Sequence, residues 1–195
     1  MAAASTALYL TKLESPIGNI LLVTEGDVLV SLDYAGYEHR MMRLLEKRYG
    51  QFLLTEDDQL CPPPTPTIAQ AIRHYLAGDL TAIDGLPVNP GGTQFQSTVW
   101  QALRSIAPGT IMSYGALAKQ LGNPGAVRAV GTTNSLNPIS IVLPCHRVIG
   151  ANGTLTGYAG GIERKRWLLA HEGVDLTQLK HQAKQSGQQL SLLDV

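Results

Sequence analysis

Two short runs near the start, Leu8–Leu13 and Asn19–Thr24, are rich in β-forming residues, and Ser15-Pro16-Ile17-Gly18 between them supplies turn chemistry. Together they predict a hairpin, with Val28–Asp33 as a third strand. From His39 to Tyr49 the period changes: Met42, Leu45 and Tyr49 recur at helical spacing, with charges on the opposite face. Cys61-Pro62-Pro63-Pro64-Thr65-Pro66 reads as a stiff linker that stops any helix, and Ile68–Leu76 as a short helix beyond it. Pro87–Gly92, with two prolines and two glycines, marks a domain boundary.

Beyond that boundary the pattern is more helical. Thr93 can cap a helix in which Phe95, Val99 and Leu103 repeat every four residues, ending near Ala107-Pro108-Gly109. Ser113–Leu121 predicts a second helix, Gly122-Asn123-Pro124 a break, and Ala126–Thr133 a third helix. Two short helices around a tight break make a helix-turn-helix. A major-groove reader presents several Arg, Asn or Gln side chains to base edges. Here Gly125, Ala126, Val127, Ala129, Val130 and Gly131 are small or apolar, and Arg128 is the only charge. Such a helix can approach a backbone closely and push one cation into a groove, but it cannot read an operator.

Composition narrows the class. A hydrophobic content of 44% in 195 residues suits a globular protein with room for a core. No segment has the roughly 18 apolar residues of a membrane span, and the start has no secretory signal, so a cytoplasmic protein is expected. Only Cys61 and Cys145 are present, which disfavours a disulfide framework. Net charge is zero, yet residues 1–92 hold 6 Lys+Arg against 11 Asp+Glu and residues 93–195 hold 9 against 4. An anionic partner for the second half is therefore expected.

The basic half also carries the one well-placed thiol. Ile141-Val142-Leu143 is a short apolar run that reads as buried support for Pro144-Cys145-His146-Arg147-Val148. The thiolate is the nucleophilic form, and a neighbouring imidazole and guanidinium favour it. A small buried cysteine would explain the apolar run, but not the ionisable pair that follows.

With those residues in hand, the chain resembles the O6-alkylguanine-DNA alkyltransferases, also called methylated-DNA–protein-cysteine methyltransferases, in particular the bacterial constitutive type. The resemblance lies in Pro144–Val148, Arg128-Ala129-Val130-Gly131, Asn137-Pro138, Gly157-Tyr158 and Trp167–Gly173, dense over residues 93–173 and loose before them. It implies an α+β fold: an N-terminal ribonuclease-H-like α/β domain over residues 1–92 and a C-terminal winged-helix-like domain with a helix-turn-helix over residues 93–175. A flexible polar tail over residues 176–195 is expected after them. It also implies a reaction in which Cys145 takes the alkyl group from O6 of a guanine, or from O4 of a thymine, in double-stranded DNA. The target atom lies inside the stack, so the nucleotide must be flipped out. The thioether does not reverse, and each molecule acts once.

Roles follow from the same resemblance. Cys145 is the nucleophile, His146 draws off its proton through water, and Glu172 orients the histidine. Tyr114 donates to the guanine ring as the base leaves. Asn137 ties the helix-turn-helix to the loop of Cys145. Arg128 fills the gap left by the flipped nucleotide, with Ala126, Ala129, Gly131 and Ser135 beside it against the DNA. Tyr158, Ala159, Gly160, Val148 and Ser140 line the substrate pocket. Ala159 stands where many relatives have serine, which leaves a backbone contact but no hydroxyl. Gly160 suggests an open mouth that admits larger adducts, and Ser140 replaces a proline of some relatives. The zinc of some relatives is not expected, because Cys61, His39 and His74 are too few for a closed four-ligand site. No cofactor is expected either, and the chain is expected to work as a monomer.

Three other classes are weighed against this one. Alkyltransferase-like lesion-binding proteins have tryptophan in place of Cys145. A transcription regulator needs a sequence-reading helix. A cysteine hydrolase needs an oxyanion site and a cleft that no residues here announce. The tail is polar through Gln178–Gln188 and ends Gln189-Leu190-Ser191-Leu192-Leu193-Asp194-Val195. It resembles the short peptides that bacterial proteins insert into the sliding clamp.

Overall fold

The computed structural model describes residues 5–56 and 65–179. Cys61 and the tail from Lys180 onward, with its clamp-like end, lie outside the described residues. The chain divides into two compact units. One runs to Gly92 and takes in Pro138–Val142 as well; the other holds Thr93–Asn137 and the chain from Leu143.

In the first unit the expected hairpin forms from β1 (Thr6–Leu13) and β2 (Ile20–Glu25), antiparallel with Leu13 opposite Ile20. The Ser15 hydroxyl bonds the carbonyl of Gly18, whose φ of 91° closes the turn. Strand β3 (Val28–Tyr34) pairs antiparallel with β2, with an irregularity at Val23/Thr24. Helix α1 (Glu38–Tyr49) follows. A strand the sequence pattern had not suggested, β4 (Phe52–Glu56), then returns parallel to β1, giving the order β3-β2-β1-β4. Alternate side chains of the sheet, Leu8, Leu10, Leu21, Val23 and Val30, bury against Met41 and Leu45 of α1.

Helix α2 spans Thr65–Leu76 and packs on β1. Pro66 therefore does not stop a helix; it stands in the first turn of one, where the missing N–H costs nothing. Strand β3 ends the order but is buried along almost its whole length. Its outer edge is paired twice. Leu29 exchanges main-chain bonds with Pro87 and Asn89, and Leu32 with Pro138 and Ser140. The exposed edge that an end strand would present is thereby closed.

The second unit opens with α3 (Gln94–Arg104), capped by Thr93 in a full capping box with Gln96. The two-residue strand β5 (Met112–Ser113) leads into α4 (Tyr114–Gln120), whose first turn the Ser113 hydroxyl caps. After the break at Gly122, a 3₁₀ turn over Pro124–Ala126 runs into α5 (Val127–Ser135), so the third expected helix starts later and runs further. Trp100 of α3 donates its indole N–H to the Thr133 carbonyl of α5. Strand β6 (Val148–Ile149) pairs parallel with β5, and α6 (Ile162–His171) completes the unit. Among the described residues no helix is long and apolar enough to cross a membrane.

Candidate active site

Cys145 is delivered by a tight backbone path. Pro144 (φ −77°, ψ 65°) is the centre of an inverse γ-turn, in which the Cys145 N–H bonds the Leu143 carbonyl at 2.7 Å. A single 3₁₀ turn over Cys145–Arg147 follows and feeds directly into β6. Because β6 pairs with β5, this turn lies beside the start of α4, which carries Tyr114. The Cys145 side chain is buried, as are both residues after it.

His146 is fully buried, and its Nε2 lies 2.9 Å from Oε1 of Glu172. Burial lowers the pKa of this imidazole, against the opposing pull of Glu172. Glu172 is itself desolvated, which raises its pKa, but bonds from His146 and Arg147 outweigh this and hold the carboxyl well below the usual carboxylate range. An ionised carboxylate only accepts, so the ring proton sits on Nε2 and Nδ1 carries the free lone pair. Nδ1 has no hydrogen-bond partner among the described residues. The pair thus presents a neutral imidazole with one basic nitrogen unused.

Arg147, expected beside the thiol, is turned to the carboxylate instead. Its Nε donates to Oε2 at 2.9 Å, Nη2 donates to Oε1 at 2.8 Å, and Nη1 bonds the Ile106 carbonyl. Glu172 is also the C-cap of α6, followed by Gly173 at φ 85°. The turn at Gly109 (φ 75°) passes so close that a Cβ there would lie 3.0 Å from the Glu172 carbonyl oxygen.

Two buried side chains escaped the sequence reading. Lys165 of α6 has no exposed surface and donates to the carbonyls of Val148, at 2.7 Å, and Thr156, at 3.0 Å. Burial brings its pKa down to about 8, with Cys145 acting in the opposite sense. It hid within Glu163–Arg166, a charged run that looks solvated. Its spacing to Leu168, Leu169 and Glu172 puts it on the buried face of α6 and was the available signal. Asn134 of α5 donates from Nδ2 to the Cys145 carbonyl at 3.3 Å and to the Tyr114 hydroxyl at 3.4 Å. The polar stretch Thr132–Ser135 concealed it.

Asn137 donates to the Leu143 carbonyl at 2.7 Å, joining the end of α5 to the start of the nucleophile loop. Tyr158 meets His146 edge-on, with ring centres 6.5 Å apart. Ala159 is half-buried beside it, and Val148 is fully buried. Gly160 is also buried, its carbonyl accepting from Arg164, so its lack of a side chain gives no exposed rim there. Ser140 belongs to the first unit, where its N–H bonds Leu32. On α5, Arg128, Ala129 and Ser135 are exposed, and a Cβ on Gly131 would touch the Tyr114 ring at 3.9 Å; Ala126, in the 3₁₀ turn just before it, is half-buried.

This arrangement can be set beside known proteins. A family profile described as the ribonuclease-like domain of 6-O-methylguanine DNA methyltransferase matches residues 8–90, and the DNA binding domain of the same family matches residues 94–174. The chain belongs to the 6-O-methylguanine DNA methyltransferase family. The methylated-DNA–protein-cysteine methyltransferase of Shigella flexneri is 48% identical over 164 residues, 83% of this chain and 94% of the relative. That of Mycobacterium tuberculosis is 43% identical over 167 residues, 85% and 92% of the two chains. Among solved structures, the M. tuberculosis family member OGT in complex with DNA superposes with a TM-score of 0.70 at 39% identity, covering 89% of this chain and 98% of that one. The α+β fold, with a ribonuclease-like domain followed by a DNA-binding domain, is that of this methyltransferase family.

Proposed function

We propose that this protein repairs DNA by moving the alkyl group of an O6-alkylated guanine onto its own Cys145, once per molecule. The observation that carries the chemistry is the Glu172–His146 pair, which leaves His146 Nδ1 as a base next to the nucleophile in sequence. The thiol proton passes to Nδ1 across a bridging water, the sulfur attacks the alkyl carbon, and the bond from that carbon to O6 breaks. The electron pair returns to the guanine, which takes a proton from the Tyr114 hydroxyl. Proton donation of this kind contributes about 10²–10⁴ in rate. The products are a thioether and an intact guanine, so no further reagent is consumed.

Double-stranded DNA is the partner, approached through α5. Arg128 enters the stack where the damaged nucleotide leaves it, and Ala126, Ala129, Gly131 and Ser135 let the backbone come close. Tyr158, Ala159, Gly160 and Val148 enclose the flipped base. O4-alkylthymine is a second substrate, the working state is a monomer, and the compartment is the cytoplasm. Gln189–Val195 docks into the bacterial sliding clamp; deletion of these seven residues that leaves clamp binding unchanged, or a full chain that does not bind, removes that assignment.

The decisive experiment is intact-protein mass after mixing with one equivalent of duplex carrying a single O6-methylguanine. A gain of one methylene, mapped to Cys145 and missing in Cys145→Ala, is the expected result. Tight lesion binding without any mass change makes the protein a lesion sensor instead and withdraws the roles of His146, Glu172 and Tyr114.

A further inference from the structure

Asn134 is 4% exposed and stands between the Cys145 carbonyl and the Tyr114 hydroxyl. Its amide has one orientation open to it. The Cys145 carbonyl can only accept, so the nitrogen must face it, and that same nitrogen reaches the Tyr114 hydroxyl oxygen. One N–H serves each acceptor. The Tyr114 oxygen is therefore an acceptor toward Asn134, and the hydroxyl's own proton is left for another partner. The opposite amide orientation would consume that proton. Oδ1 of Asn134, buried and without a hydrogen-bond partner among the described residues, marks what this orientation gives up.

The ring is held as well as the hydroxyl. Gly131 and Asn134 are three apart on α5 and share a face. The Tyr114 ring lies against Gly131 while its hydroxyl reaches Asn134. We infer that Asn134 is a positioning residue of alkyl transfer: it aims the Tyr114 proton at the departing base and ties that hydroxyl to the backbone of the nucleophile. This rests on the donor role given to Tyr114 above. One planar amide then sets the spacing between the group that receives the alkyl carbon and the group that protonates the ring.

The test is a double-mutant cycle on the full chain, read as single-turnover transfer rate and affinity for an O6-methylguanine duplex. Asn134→Leu removes a bond of ordinary strength and lowers the rate on the order of 5- to 10-fold, with duplex affinity unchanged. Asn134→Asp, of the same shape, lowers it further, because the carboxylate accepts the tyrosine proton. In a Tyr114→Phe background Asn134→Leu costs nothing beyond about twofold. Losses that multiply in the double variant overturn the inference, as does Asn134→Leu at full rate while Tyr114→Phe is slow. Tyr114→Phe at full rate removes the donor role itself and the inference with it. Should Asn134→Leu not fold, Asn134→Asp against the parent decides.

Discussion

Replacing Glu172 by Gln keeps the side chain's size and removes its charge. In the native site that charge accepts three donors, His146 Nε2 and two nitrogens of Arg147, all within 2.9 Å. Both the carboxylate and the guanidinium are almost wholly out of water. In Glu172→Gln an amide NH₂ meets at least one of these donors, and the guanidinium has no counter-charge. Removing one partner of a buried pair costs about 3–5 kcal/mol, chiefly through the stranded charge. For a chain of this length that is roughly 6–20 °C in Tm. Arg147→Met strands the carboxylate and costs a similar amount. The double variant Glu172→Gln/Arg147→Met strands no charge; the His146 N–H keeps the amide oxygen as acceptor, and the Ile106 carbonyl loses its donor, at about 1–3 kcal/mol. Urea melts of the four proteins at pH 7 measure this. Strong non-additivity is expected, together with loss of alkyl transfer even where stability returns. The carboxyl's pKa is depressed in the fold, so its contribution is complete above the ordinary glutamate value of 4.5 and fades as pH falls below it. Single-variant costs below about 1 kcal/mol, or costs that simply add, refute the reasoning.

Lys165 gives a second pH signature of opposite range. With its pKa brought down from 10.5 to about 8, the unfolded chain holds more protons between those values, so stability gained from this group rises as pH climbs from 8 to 10.5. The stability difference between the parent and Lys165→Met should shift in the parent's favour across that window, and a flat difference in denaturant titrations contradicts it. Gly109→Ala combines positive φ with a Cβ 3.0 Å from the Glu172 carbonyl, and should cost at least about 1–2 kcal/mol in the same melts. Asn137→Leu removes one of the two donors to the buried Leu143 carbonyl, leaving it the Cys145 N–H, and should cost about 0.5–1.5 kcal/mol, with slower transfer in the single-turnover assay.

The parts of the fold that were legible in the sequence are those written locally. The Ser15–Gly18 turn, the α1 stripe and the Thr93 cap each lie within a few residues of the element they define. Strand β4 was not legible, because Phe52–Glu56 is short, has no period-2 alternation, and earns its pairing from Thr6–Leu10, more than forty residues away. The attachment of Pro138–Val142 to β3 is likewise chiefly a main-chain event at Leu32, with one added bond from the Ser31 hydroxyl to the Pro138 carbonyl. At the site, the family resemblance supplied Glu172, Tyr114 and Asn137, and the motif around Cys145 singled out His146. It misdirected Arg147, since adjacency in sequence says nothing about which way a guanidinium turns. Lys165 and Asn134 were missed because a polar residue amid polar neighbours looks solvated until helix phase is counted.

Ile141 is the described non-glycine residue with positive φ, at 69°, and the Val142 N–H bonds the Ser140 carbonyl around it, in the segment that completes the first unit. That membership has a consequence for dissecting the protein. Scission at Gly92 would separate Leu32 from Pro138 and Ser140, the two residues that satisfy its N–H and C=O, and would leave them on the other fragment. The two fragments are then not self-contained modules but complementary pieces. Mixed together, they should associate by restoring the missing strand-edge pairing, as split proteins do, whereas either piece alone presents an unpaired edge open to aggregation.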